Sequence, residues 1–128
     1  MDLMDIRLYD IPHNQHRYET VGDWKTADGD LTEVVVSTMQ PEDYSFLVAL
    51  HELVEGWLCV KRGITHEEVT AFDEAYEVQR PEGDESEPGD SELAPYRKEH
   101  RFATRIERMM AKELGVNWRE YDKMVASL

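Results

Sequence analysis

Along the chain the spacing of apolar positions changes from an alternating pattern to a helical one near residue 40. Residues 3–11, Leu-Met-Asp-Ile-Arg-Leu-Tyr-Asp-Ile, alternate imperfectly and are halted by Pro12, which predicts a first strand. A short extended segment follows over 18–24, and Asp28-Gly29 then marks a turn because both residues accept positive φ readily. The return strand over 31–39 is β-branched (Val34, Val35, Val36, Thr38) and fits a pleated surface better than a helix. From Pro41 the apolar period becomes helical. Pro41 presets φ for a first turn, Glu42 and Asp43 complement the positive end of the dipole, Lys61 and Arg62 suit the negative end, and Gly63 stops the helix. Thr65 and Glu68 form a capping box for a second helix whose apolar face holds Val69, Phe72 and Tyr76. Over 80–95 the period vanishes. Pro81, Gly83, Pro88 and Gly89 break regular structure and six acids crowd the segment, which predicts a flexible acidic loop, either a connector or a lid. A third helix is expected over 95–114, and a short fourth from Asn117 that sets Trp118, Tyr121 and Val125 on one side. These elements predict a single α+β domain over 1–128, a small antiparallel sheet of about three strands packed with about four helices.

Composition narrows the function classes. A chain of 128 residues with 41% hydrophobic content supports a single core. The net charge of −14 repels phosphate backbones, so neither nucleic acid nor an anionic membrane is an expected partner. It fits a solubilising surface or an acidic decoy that imitates DNA. The first residues lack a basic, then apolar, leader and no apolar run approaches about 20 residues, so a cytoplasmic location is expected. Cys59 is the single cysteine, which excludes an intrachain disulfide and a cysteine-rich zinc site. A transition metal would therefore be held by histidine and carboxylate.

Those residue types intrude where apolar ones are expected. On the first helix His51 and Glu55 lie four apart, within or beside a stripe containing Leu47, Val54 and Leu58, while Glu52 points about 100° away toward the rim. On the third helix His100 and Glu107 sit in the stripe of Tyr96, Ala103, Ile106, Met110 and Leu114. Burying ionisable groups costs several kcal/mol each unless they pair or bind an ion. The groups are therefore expected to meet, either as a metal site or as an inert network that fixes helix register. In the metal reading His51, Glu55 and His100 are the ligands of a divalent ion, zinc foremost, with a fourth position left to water. Glu52 is then the general base, and Glu107 either replaces His100 or accepts a hydrogen bond from a ligand histidine. Tyr96 and Tyr76 are candidate oxyanion donors. Cys59 reads as a buried small hydrophobe, and His13, His16 and His66 as solvated turn or helix-start residues.

The strand and helix of residues 31–62, with His51-Glu52-x-x-Glu55, resemble the strand and active-site helix of minimal zincin metalloproteases. The resemblance implies that the strand lines a substrate cleft, that His51 and residue 55 bind zinc, and that Glu52 is the base. Glu55 stands where that family has histidine. The phrases Tyr18-Glu-Thr-Val-Gly-Asp-Trp24, Glu87-Pro-Gly-Asp90 and Ala94-Pro-Tyr-Arg-Lys-Glu-His100 are also similar to small uncharacterised bacteriophage and prophage proteins, a resemblance that implies no activity. The leading expectation is a metal-binding, zincin-like hydrolase acting on a peptide or protein. The alternative is a non-catalytic phage accessory protein that binds a host protein in the host cytoplasm, with His51, Glu55, His100 and Glu107 as a structural network.

Overall fold

The computed structural model describes residues 4–128. Its strands are β1 (Arg7–Ile11), β2 (Gly22–Ala27) and β3 (Asp30–Ser37). Its helices are α1 (Glu42–Lys61), α2 (His66–Gln79), α3 (Arg97–Glu113) and α4 (Trp118–Ala126). The α+β class, with a three-stranded sheet and four helices, is the one expected. β2 and β3 form a hairpin whose turn takes positive φ at Asp28 (53°) and Gly29 (83°).

The sheet is mixed rather than antiparallel. β1 runs parallel to β3, from Arg7 opposite Glu33 to Ile11 opposite Ser37, and the strand order is β1-β3-β2. This corrects the expected antiparallel sheet: alternation of apolar residues records which face a strand buries and not the direction of its neighbour. Residues 12–21, including a 3-10 turn at His13–Gln15, carry the chain across the end of β3. Val21 then accepts a backbone hydrogen bond from Ser37, the last residue of β3, and Ile11 one from Thr38 just beyond it. As the central strand β3 is covered on both faces, and Val34, Val35 and Val36 are at most 3% exposed. The strand expected from residue 3 begins at Arg7, and Leu3 lies outside the described residues.

The Ser45 hydroxyl clamps the entry to α1, accepting from the Met39 N–H and donating to the Ser37 carbonyl. α1 crosses the sheet at close range because Gly56 faces Trp24: a Cβ there would stand 2.8 Å from the indole Cγ. α3 packs on α1 through Ala103 and Ala111, whose small side chains let the helices approach. The Arg62–Glu99 ion pair, at 2.8 Å, ties the end of α1 to the start of α3. The buried residues of α1 are Ser45, Leu47, Val48, Ala49, His51, Glu55, Gly56 and Cys59. They are centred on the polar pair, while Val54 and Leu58 are only half-buried. The Thr65–Glu68 capping box is present at α2. No helix among the described residues is long and apolar enough to cross a membrane.

Candidate metal centre

Three helix-borne side chains converge between α1 and α3. His51 and Glu55 lie one turn apart on α1, which places them side by side. His100 enters from the first turn of α3. His51 Nε2 lies 3.0 Å from Glu55 Oε2, His100 Nδ1 lies 2.9 Å from the same oxygen, and the two nitrogens are 3.1 Å apart. All three residues are buried, with exposures of 4 to 7%. The triad expected from the sequence is thus brought to a common point and can hold a metal ion.

With Glu55 ionised, as its strongly lowered carboxyl implies, no placement of protons satisfies all three edges of this triangle. With an N–H on both imidazoles directed at Glu55, the nitrogen–nitrogen edge sets two donors against each other. With a single N–H, one nitrogen lone pair faces a carboxylate. A cation shared by the three atoms removes the conflict, because each then offers a lone pair. Tetrahedral ligands at 2.0–2.1 Å are separated by about 3.3 Å, so the triangle accommodates such an ion with an expansion of a few tenths of an ångström.

The far nitrogens of both rings also meet carboxylates. His51 Nδ1 lies 2.8 Å from Glu107 Oε1, and Tyr121 donates its hydroxyl to Glu107 Oε2 at 2.5 Å. Glu107 therefore sits behind His51, on the nitrogen opposite the triad, and orients the ring instead of replacing His100. His100 Nε2 lies 2.8 Å from Glu87 Oε2 and 3.6 Å from Asp90 Oδ1. The free oxygen of Glu55 accepts from Trp24 Nε1 at 3.2 Å. Burial alone would raise the Glu55 carboxyl and lower the histidines, but the mutual hydrogen bonds outweigh it. They hold Glu55 at about 2 and raise His51 and His100 above their usual range.

Glu52, on α1, lines the same cavity as the triad, of about 270 Å³, and packs against the start of β2, where a Cβ on Gly22 would stand 2.7 Å from its Cγ and Oε1. Burial, reinforced by the negative charge of Glu55, raises its carboxyl well above the ordinary value. It makes no hydrogen bond or ion pair with another side chain among the described residues, so its oxygens are free to take a proton.

The other expectations divide. The Tyr96 hydroxyl lines the cavity but already donates to Asp73, and the Tyr76 hydroxyl pairs with Ser86 at the surface. Neither is a free oxyanion donor. Cys59 is fully buried, and burial raises its thiol. His13 and His16 are half-buried against the Ser37 hydroxyl, and His66 packs beside the Trp24 ring, so these three are not the solvated residues their polar turns predicted. The 80–95 segment is not a loose connector throughout. Its Pro88–Asp90 turn presses Gly89 against the His100 ring, and a Cβ there would stand 2.5 Å from Nδ1.

Sequence reasoning did not assign Trp24, Glu87, Asp90 or Tyr121 to the site. Trp24 and Tyr121 carry the single polar atom of a large buried ring, a property that predicts a partner without naming it. Glu87 and Asp90 flank a Pro-Gly pair, where a tight turn can aim two carboxylates the same way. Comparison with protein-family models, with curated proteins and with solved structures finds no match for the chain.

Proposed function

We propose that this protein is a metal-dependent hydrolase of amide or related bonds, acting on a peptide or protein. His51, Glu55 and His100 hold one divalent ion, zinc foremost. The observation that carries the reading is the triangle of ligand atoms at 2.9 to 3.1 Å, which protons cannot satisfy while Glu55 is ionised and a cation can. An ion held there supplies Lewis acidity and an acidified water. Glu52, unpaired in the same cavity and with its proton affinity raised by burial, accepts the proton from the attacking water and returns it to the leaving nitrogen. Glu107 keeps the His51 ring in the orientation and tautomer that present Nε2.

Metal analysis of the purified protein tests the first half. About one tightly held equivalent is expected, whereas under about a tenth, with no uptake on reconstitution, overturns it. For the second half, Glu52→Gln is expected to retain the metal and abolish cleavage of a mixed peptide library read by mass spectrometry. Retained cleavage removes Glu52 from the role of base.

A second reading draws on the saturation of the carboxylates, since Glu55 Oε1 and both oxygens of Glu107 already accept hydrogen bonds. On this reading the four residues are a metal-free network inside a non-catalytic protein that binds a partner. A folded protein that takes up no metal supports it.

A further inference from the structure

His100 has a second face. Its side chain is 8% exposed, yet Nε2 has no hydrogen-bond partner of acceptable geometry. Two carboxylates nevertheless stand around that nitrogen: Glu87 Oε2 at 2.8 Å, off the line of an N–H bond, and Asp90 Oδ1 at 3.6 Å. The Pro88–Asp90 turn places one on either side of Gly89, and the missing Cβ of that glycine lets the turn backbone lie on the imidazole. A nitrogen and two carboxylate oxygens, all within 4.8 Å of one another, form a second set of ligand type directly outside the first.

We propose that a second divalent cation binds on this outer face, held by His100 Nε2, Glu87 and Asp90, so that the His100 imidazole bridges two ions. Because His100 is shared, the bridge rests on the metal reading of the inner triad. Occupation of both nitrogens requires the ring to release its remaining N–H proton to solvent as the outer ion binds. The charges then balance: two divalent ions are matched by the imidazolate, Glu55, Glu87 and Asp90. The chemistry of one imidazole nitrogen and two carboxylates suits zinc or manganese over soft thiophilic metals. Glu87 and Asp90 side chains are 45% and 55% exposed, so the outer ion is the weaker and more readily exchanged of the two. A dinuclear centre would place one ion where the acidic segment can release or admit it, while the other stays locked between helices.

The test is a calorimetric titration of metal-free full-length protein with Zn²⁺, alongside the double variant Glu87→Gln/Asp90→Asn. Both substitutions fall on the loop surface and leave the core intact. Wild type is expected to take up about two equivalents, a tight one and a weaker one, and the variant only the tight one. Two equivalents in both proteins, or one in both, overturns the outer site, and in the second case the inner triad stands. A single equivalent that the variant loses upholds the outer site but removes the bridge and the inner reading with it. No uptake by either protein overturns both.

Discussion

Glu107→Gln isolates what the carboxylate behind His51 contributes. Glutamine keeps the volume and an acceptor oxygen, so His51 Nδ1, now 2.8 Å from Glu107 Oε1, retains a partner, and the Tyr121 hydroxyl can rotate to accept from the new amide. What is lost is charge. A hydrogen bond to a charged partner contributes about 1 to 1.5 kcal/mol more than a neutral one, and His51 carries part of that into its strength as a ligand. At about 1.4 kcal/mol per decade the expected effect is roughly a tenfold weakening of zinc affinity, at the lower end of the usual 10 to 100-fold for such partners. Competition against a chromophoric chelator measures it, with far-ultraviolet circular dichroism confirming the fold. Affinity within twofold of wild type refutes the orienting role, and complete loss of zinc makes Glu107 a ligand.

Other consequences follow from the packing and the buried charges. Gly56→Ala gains helix propensity but drives a methyl group into the Trp24 ring, and overpacking of about 1 to 3 kcal/mol outweighs a gain of up to about 1 kcal/mol. Tm is expected to fall by several degrees, and a rise would show that α1 and β2 separate freely. For Asp73, burial raises the carboxyl from 3.8 to about 7 against hydrogen bonds from Tyr96 and Tyr18, with the charge of Glu55 adding and that of His100 opposing. The folded form therefore holds this proton more tightly, and the associated stability is full below about 3.8 and lost as pH rises through about 7. Asp73→Asn removes the loss, so its stability relative to wild type should improve by about 1 kcal/mol between pH 5 and 8, with the half-buried setting discounted. An unchanged difference in urea midpoints across that range contradicts the burial of the charge.

The sequence made the helical part of the molecule legible because caps and stops are local chemistry: the Thr65–Glu68 box, Asn117 and the glycines after α1 and α3 all act where they stand. The hairpin was legible for the same reason, through Asp28-Gly29. Strand direction was not, since β1 finds β3 only after a crossing that no residue pattern records. At the site, two histidines and two glutamates on apolar faces announced themselves by their burial cost. Their partners Trp24 and Tyr121 were hidden because a buried aromatic ring reads first as core. Glu87 and Asp90 were hidden because an acidic run reads first as solvated surface, and only the glycine between them lets that run turn inward. The apolar face of α1 was misplaced by a fraction of a turn toward Val54 and Leu58, since residue hydrophobicity weighted the stripe away from the polar pair, which is buried while Val54 and Leu58 are only half-buried.

If His51, Glu55 and His100 surround a cation, that cation is visible by diffraction. Crystals grown with Zn²⁺ and recorded on both sides of the zinc absorption edge measure this directly. An anomalous peak is expected within about 2.0 to 2.2 Å of His51 Nε2, Glu55 Oε2 and His100 Nδ1 together. An ordered triad with no peak between these atoms, at saturating zinc, would contradict it.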